Sequence, residues 1–177
     1  VYRMDGPANW VDLTQGLEIT QFYRLGQSFQ MPYRVVAGAQ DNGTMMSDST
    51  IAWEQILGAD GMEALVDYSD PDIIYGCIQN GSLRRSLDGG NSFSSIRINS
   101  ESGAWVTPYV IHPTDPSTIF AGYQNVWKST NRGSNWTAIS TWGGPTLRNL
   151  AVAPSNPDYI YAGTYTQLRR TTDGGAN

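Results

Sequence analysis

The chain has 177 residues, room for one or two domains, and 11 Lys+Arg against 16 Asp+Glu leave a net charge of −5. Charged residues are only 15%, while 19 Gly, 6 Trp, 10 Tyr and 4 Phe are present, a composition that argues against disorder. An acidic balance without a basic run argues against nucleic-acid partners, and no apolar stretch nears the ~18 residues of a spanning helix, so no membrane insertion is expected.

Taken in chain order, the sequence repeats itself. Arg3-Met-Asp-Gly-Pro-Ala-Asn-Trp10 carries an acid and a Trp, and Met46-Ser-Asp-Ser-Thr-Ile-Ala-Trp53 carries the same two. Between them, the segment around Val36–Gly38 reads as a strand that ends on glycine. Residues 53–65 are ambiguous between strand and helix by pattern alone. Next comes a strand run, Ile73-Ile-Tyr-Gly-Cys-Ile78, preceded by Pro71 and followed by Ser82-Leu-Arg-Arg-Ser86. A glycine-rich turn then leads to an aromatic residue, Ser86-Leu-Asp-Gly-Gly-Asn-Ser-Phe93.

The same order recurs twice more. In the third unit the first strand is predicted at about 105–111, the second at 118–123 and the third at 126–129, with a fourth starting at Trp136. Its turn is Ser129-Thr-Asn-Arg-Gly-Ser-Asn-Trp136. The last unit runs through Tyr159–Gly163 and 168–171 into Thr171-Thr-Asp-Gly-Gly-Ala-Asn177. The acid-position residues Asp5, Asp48, Asp88, Asn131 and Asp173 are separated by 43, 40, 43 and 42 residues. A period of 40–43 built from short strands and turns fits a four-stranded propeller blade. The fold class is therefore all-β, a β-propeller of four-stranded antiparallel blades. About four blades are expected in residues 1–177, as part of a larger propeller.

The turn residues have a structural purpose. The hydroxyl of Ser86, Ser129 or Thr171 and the acid or amide two residues later accept backbone N–H bonds inside a tight hairpin. Gly90, Gly133 and Gly175 supply a positive φ. Phe93, Trp136, Trp10 and Trp53 are each expected to bury a ring beside the next sheet. Asp5, Asp48, Asp88, Asn131 and Asp173 are accordingly read as structural, because an active site needs a residue once and these recur.

This pattern is the Asp-box, or BNR repeat, and the chain resembles Asp-box β-propellers. The wider stretches from Trp10 to Tyr23 and Val36-Ala-Gly-Ala-Gln-Asp-Asn-Gly-Thr44 resemble the sortilin-type propellers of large secreted proteins from Bacteroidetes-like bacteria with type IX secretion. The resemblance implies an extracellular or cell-surface location. Asp-box propellers include sialidases, xyloglucanase-type glycosidases, sortilin-type receptors and photosystem assembly factors, so the fold alone does not fix an activity.

In such propellers the loops joining the second to the third strand share a face with the loops joining one blade to the next. The first set here holds Gln40, Asp41 and Asn42; Gln79 and Asn80; Tyr123, Gln124 and Asn125; and Tyr165 and Gln167. The blade-to-blade loops add Asp60, Glu101 and Trp142. Side-chain amides both donate and accept, which suits glycan or peptide recognition, and Trp142 in its Gly/Pro loop is the expected surface aromatic. Turn chemistry also accounts for Asn42-Gly43 and Asn80-Gly81, which read as two-residue hairpin turns with positive φ at both positions. Trp105 is expected to begin a strand and pack inside.

For catalysis, a sialidase needs an arginine cluster, and Tyr23-Arg24-Leu25-Gly26 matches its arginine segment only faintly. A glycosidase needs two carboxylates, for which Asp41, Asp60 and Glu101 are the loop-face candidates without a local motif. No catalytic residue is assigned. Cys77 reads as a core residue and His112 as a strand-end residue. One Cys and one His exclude an internal disulfide and a structural zinc site, and no metal or cofactor is expected. The expected function is non-catalytic binding of a glycan or protein through the loop face, with other blades or domains of a parent chain as further partners. The alternative is the propeller portion of a polysaccharide-degrading glycosidase, xyloglucanase-like or sialidase-like.

Overall fold

A computed structural model describes residues 2–13, 19–48 and 52–176. Residues 14–18 of the sortilin-like stretch, 49–51 of the second turn and Asn177 lie outside the described residues. The described residues form strands, turns and a single 3-10 turn over Gln79–Gly81.

A hairpin of β1 (Tyr2–Met4) and β2 (Trp10–Asp12) comes first. Three four-stranded antiparallel sheets follow. The first has β3 (Phe22–Gln27), β4 (Arg34–Ala39), β5 (Gly43–Asp48) and β6 (Glu54–Leu57). The second has β7 (Ala64–Val66), β8 (Ile74–Ile78), β9 (Ser82–Ser86) and β10 (Ser94–Ser95). The third has β11 (Tyr109–Ile111), β12 (Ile119–Gly122), β13 (Val126–Ser129) and β14 (Thr137–Ala138). A three-stranded sheet of β15 (Asn149–Val152), β16 (Ile160–Gly163) and β17 (Leu168–Thr171) completes the order. The ambiguous segment after Trp53 resolves into β6 and β7, two short strands of successive sheets.

Strands are paired in chain order within each sheet, and the first strands of neighbouring sheets touch: β3 meets β7 and β11 meets β15. The sheets are propeller blades fanned around a common centre, with first strands innermost. Apolar side chains fill the seams between blades. Val36, Ala64, Val66 and Ile74, with Phe93 packed on them, lie between the first two blades. Tyr75, Cys77, Leu83, Ile96, Tyr109 and Ile119 form the largest cluster, between the second and third. Phe120, Val126, Leu147, Ile160 and Ala162 lie between the third and β15–β17.

Glycines near the ends of two second strands admit the neighbouring chain. A Cβ on Gly38 would meet the backbone of Gly61 and Met62, where the chain enters the second blade. One on Gly122 would press on Pro108 and Leu147 at 3.0 and 3.2 Å.

The glycine-rich turns repeat one network. Ser86 Oγ donates to Asp88 Oδ1 (2.7 Å) and accepts from the N–H groups of Asp88 (3.2 Å) and Gly90 (2.9 Å). Asp88 Oδ1 accepts in turn from Ser92 N–H (2.9 Å). Ser129 and Asn131 repeat this, with Gly133 N–H at 2.8 Å from Ser129 Oγ and Asn135 N–H at 2.8 Å from Asn131 Oδ1. Thr171 and Asp173 repeat it again, with Gly175 N–H at 3.3 Å from Thr171 Oγ1 and Ala176 N–H at 3.0 Å from Asp173 Oδ1. The two residues after each acid have positive φ: Gly89 and Gly90, Arg132 and Gly133, Gly174 and Gly175. Each turn also bonds back to its own blade's first hairpin, Gly89 N–H to Asp72 O, Arg132 N–H to Ser117 O and Gly174 N–H to Asp158 O.

Three expectations are corrected here. Trp105 stands outside β11, which begins at Tyr109, and is 45% exposed, because the chain approaches the strand through an irregular segment at the centre of the fan. The turn aromatics lean on the preceding blade: Phe93 joins the seam behind it and Trp136 Nε1 donates to Ile96 O of the second blade (2.8 Å). Trp10 and Trp53 are exposed at 62% and 40%, Trp53 resting against Phe22 at 5.2 Å between ring centres. The earlier acids also differ from the three later turns in their partners. Asp5 faces Arg3 (2.9 Å), and both oxygens of Asp48 are gripped by Arg34 at 2.8 Å.

His112 follows β11 and its Nδ1 accepts from the N–H of Thr114 and of Asp115. Asp67 holds the same slot in the blade before and accepts from Ser69 N–H (2.8 Å), so the slot caps the first hairpin in both.

Candidate functional site

The second-to-third-strand hairpins and the blade-to-blade loops lie on one face, and hydrogen bonds knit them together. Asp60 Oδ1 accepts from Asp41 N–H (2.7 Å) in one blade, and its Oδ2 accepts from the Gln79 side chain in the next. Glu101 Oε2 accepts from the N–H groups of Gln124 (2.8 Å) and Asn125 (2.9 Å), while Oε1 takes the Asn125 amide (2.8 Å). Burial opposes the charge on Glu101, yet these bonds hold its carboxyl below the ordinary range. Two of the three carboxylates weighed for catalysis are thus staples that fix loop shape.

The hairpins differ from the two-residue turns expected. Ala39 pairs with Gly43, Ile78 with Ser82 and Gly122 with Val126, so three residues connect the strands in each of the first three blades. Asp41 and Gly43, rather than Asn42 and Gly43, carry the positive φ in the first, whereas Asn80 and Gly81 both do in the second. In both loops the middle residue, Asp41 or Asn80, is left-handed.

The predicted ligand residues separate into groups. Asp41, Asn42, Asn80, Gln124, Tyr165 and Gln167 are exposed. Gln40, Gln79 and Asn125 are half-buried and committed: Gln40 Oε1 accepts from Tyr23 Oη (2.8 Å), and Asn125 Oδ1 accepts from Trp142 N–H (2.6 Å). Tyr123 is fully buried with its hydroxyl on Gly81 O, so it supports the hairpin of the neighbouring blade and offers nothing to a ligand on this face. Trp142 is half-buried in the third seam, with Arg169 over its ring at 4.4 Å.

A pocket of about 530 Å³ opens where the first strands converge, lined by Arg24, Glu63, Trp105, Pro108, Arg148, Asn149 and Tyr161 among others. Each blade contributes from its innermost part. Arg24 projects from β3, which carries a register irregularity between Phe22 and Arg24. Glu63 immediately precedes β7, Trp105 precedes β11, Arg148 immediately precedes β15 and Asn149 opens it. Trp105 reaches across the centre to the first blade, its Nε1 at 3.3 Å from Tyr23 Oη, and Tyr23 is the residue that holds Gln40. A chain of hydrogen bonds thus links the pocket's Trp105 through Tyr23 to Gln40 in the first hairpin.

Glu63 is the pocket's unusual acid. Its side chain is 16% exposed, and burial pushes its carboxyl up to about 7, with Arg24 at 3.8 Å opposing the rise. Its backbone oxygen accepts from Cys77 N–H (3.0 Å) and from the Tyr109 hydroxyl (2.8 Å), so the main chain there is fixed. Arg148 lies over the Tyr165 ring at 4.5 Å, and its buried Nε has no acceptor among the described residues. The arrangement offers a flat aromatic face, two guanidinium groups, an amide and one carboxyl that is half neutral near pH 7.

Comparison with solved structures identifies the fold. An ancestral GH74 enzyme superposes with a TM-score of 0.71 at 17% identity, covering 89% of this chain and 23% of its own. The GH74 xyloglucanase from Xanthomonas campestris gives 0.67 at 19%, covering 87% and 29%. YCF48 from Cyanidioschyzon merolae gives 0.53 at 13%, covering 85% and 56%. The chain thus matches less than a third of the length of these GH74 structures. No protein-family model matches the chain, and no curated protein matches it.

Proposed function

We propose that this chain is the saccharide-contacting part of an extracellular polysaccharide-binding protein, with the central pocket and the adjoining hairpins as its contact surface. The carrying observation is Trp105, an indole half open to solvent at the mouth of the pocket, with arginine and amide side chains around it. Sugar rings stack on such faces and hydrogen-bond to such groups. The likeness to GH74 structures, one of them titled a xyloglucanase, supports a glycan over a protein as the ligand. That Asp60 and Glu101 are engaged as loop staples supports binding over hydrolysis.

The test is titration of the chain with soluble xyloglucan, followed by calorimetry, with reducing ends assayed in parallel. Saturable binding that Trp105→Ala weakens by about tenfold, without release of reducing ends, is expected. Absence of saturable binding by xyloglucan and by an acidic oligosaccharide alike refutes the reading. A second reading rests on Glu63, whose raised carboxyl suits the general acid of a glycosidase. Release of reducing ends that Glu63→Gln abolishes decides for it.

A further inference from the structure

The pocket departs from the rest of the molecule in charge. The chain carries a net −5, yet Arg24 and Arg148 face this pocket against the single carboxyl of Glu63. Among the described residues neither arginine makes a hydrogen bond to a carboxylate. Arg24 is 59% exposed at its side chain and stands 3.8 Å from Glu63, beyond hydrogen-bond reach. Among the described residues its side-chain hydrogen bond is to Tyr23 O (3.1 Å), and Glu63 is its ion-pair partner. Arg148 stands over the Tyr165 ring, its guanidinium carbon 4.5 Å from the ring centre, and its buried Nε has no acceptor among the described residues.

We infer that this pocket takes a carboxylate-bearing sugar, a hexuronate residue of an acidic polysaccharide, with the sugar ring on Trp105 and its carboxylate between Arg24 and Arg148. Guanidinium groups pair with carboxylates through two parallel N–H bonds, a geometry that a neutral hydroxyl does not match. Glu63 and Asn149 are then left for the ring hydroxyls, which both donate and accept. An acidic ligand also fits the wider field: only a locally cationic pocket draws an anion onto an acidic protein.

The inference rests on the saccharide reading above, and its test separates the two. Trigalacturonate and a neutral xyloglucan heptasaccharide are titrated into the chain, monitored by calorimetry at about 0.05 M and about 0.5 M salt. Trigalacturonate is expected to bind about tenfold more tightly than the neutral probe and to weaken at the higher salt. Arg24→Gln and Arg148→Gln are each expected to remove about tenfold of that affinity while changing neutral binding by less than about twofold. Because Arg24 lies on the surface, its variant keeps the test valid if Arg148→Gln fails to fold. Neutral binding equal to acidic binding and indifferent to both arginines overturns the uronate assignment and leaves saccharide contact standing. Binding of neither probe overturns both.

Discussion

The two faces of this propeller use acidic side chains differently. On the turn face, Asp88 and Asp173, and the amide of Asn131 in the same slot, each accept from the Ser or Thr hydroxyl two residues before and from a backbone N–H three or four residues on. On the loop face, Asp60, Glu101 and Glu63 sit in blade-to-blade connections and share no pattern: one staples two hairpins, one staples a single hairpin, and one is buried in the central pocket. Repetition marks residues that every blade needs to close its hairpin. Departure from repetition marks where the molecule is specialised. The lesson holds within the turn face too, where Arg132 occupies the left-handed position that glycine fills in its two counterparts.

Arg132 gives the largest effect by which to sharpen this contrast. It sits at φ 54° and its Nε reaches Asp67, whose side chain is fully buried, at 3.1 Å. Arg132→Ala removes the cation from that buried carboxylate, leaving it only its bonds from Ser69, and keeps the unfavourable φ, so a loss of about 3 kcal/mol is expected in urea unfolding. Arg132→Gly relieves the backbone and is expected to lose less. A larger loss for glycine would show that φ is not a cost here.

Ser86→Ala comes next. It removes the acceptor of two N–H groups from a fully buried position, and about 2 kcal/mol is expected. Ser129→Ala should match it if the turns are equivalent, and a marked inequality would break the claim of repetition.

Glu63 supplies a comparison in pH. Its folded pKa, about 7, lies above the ordinary value of 4.5, so its stabilising effect is full below about pH 4.5 and is lost as pH rises through 7. Glu63→Gln is expected to raise stability at pH 8 relative to the parent by up to about 3 kcal/mol and to change it little at pH 4. Thermal melts across that range check it, and a pH-independent difference contradicts it. Asp88 runs the other way. Its bonds to Ser86 and Ser92 hold its carboxyl down at about 2, so its contribution is present above the ordinary 3.8 and is lost as pH falls through 2. Asp88→Asn is expected to blunt that last acid transition. The smallest effect belongs to Gln124→Ala, an exposed change expected to stay within about 0.5 kcal/mol.

The blade architecture was legible in the sequence because hairpin-closing residues recur at a fixed spacing, and spacing needs no knowledge of what touches what. The turn chemistry at Ser86, Ser129 and Thr171 was legible for the same reason. The pocket was not. Trp105 resembles any aromatic ahead of a strand, and only the convergence of β3, β7, β11 and β15 turns that position into a solvent-facing centre. Tyr123 looked like a loop aromatic because sequence does not reveal that Gly81 of the neighbouring blade makes room for its ring. Arg24, Glu63 and Arg148 come from three different blades, so no local motif joins them. A singleton in a repeat slot, such as Glu63, was the available signal.

The central claim is that saccharide meets this protein at Trp105. The most direct measurement follows the indole N–H resonances of the tryptophans by NMR during titration with xyloglucan oligosaccharide. The Trp105 resonance should shift saturably while that of Trp142, held in the seam beneath Arg169, stays in place. Saturable movement of Trp142 with Trp105 unmoved, or no movement of either, would contradict it.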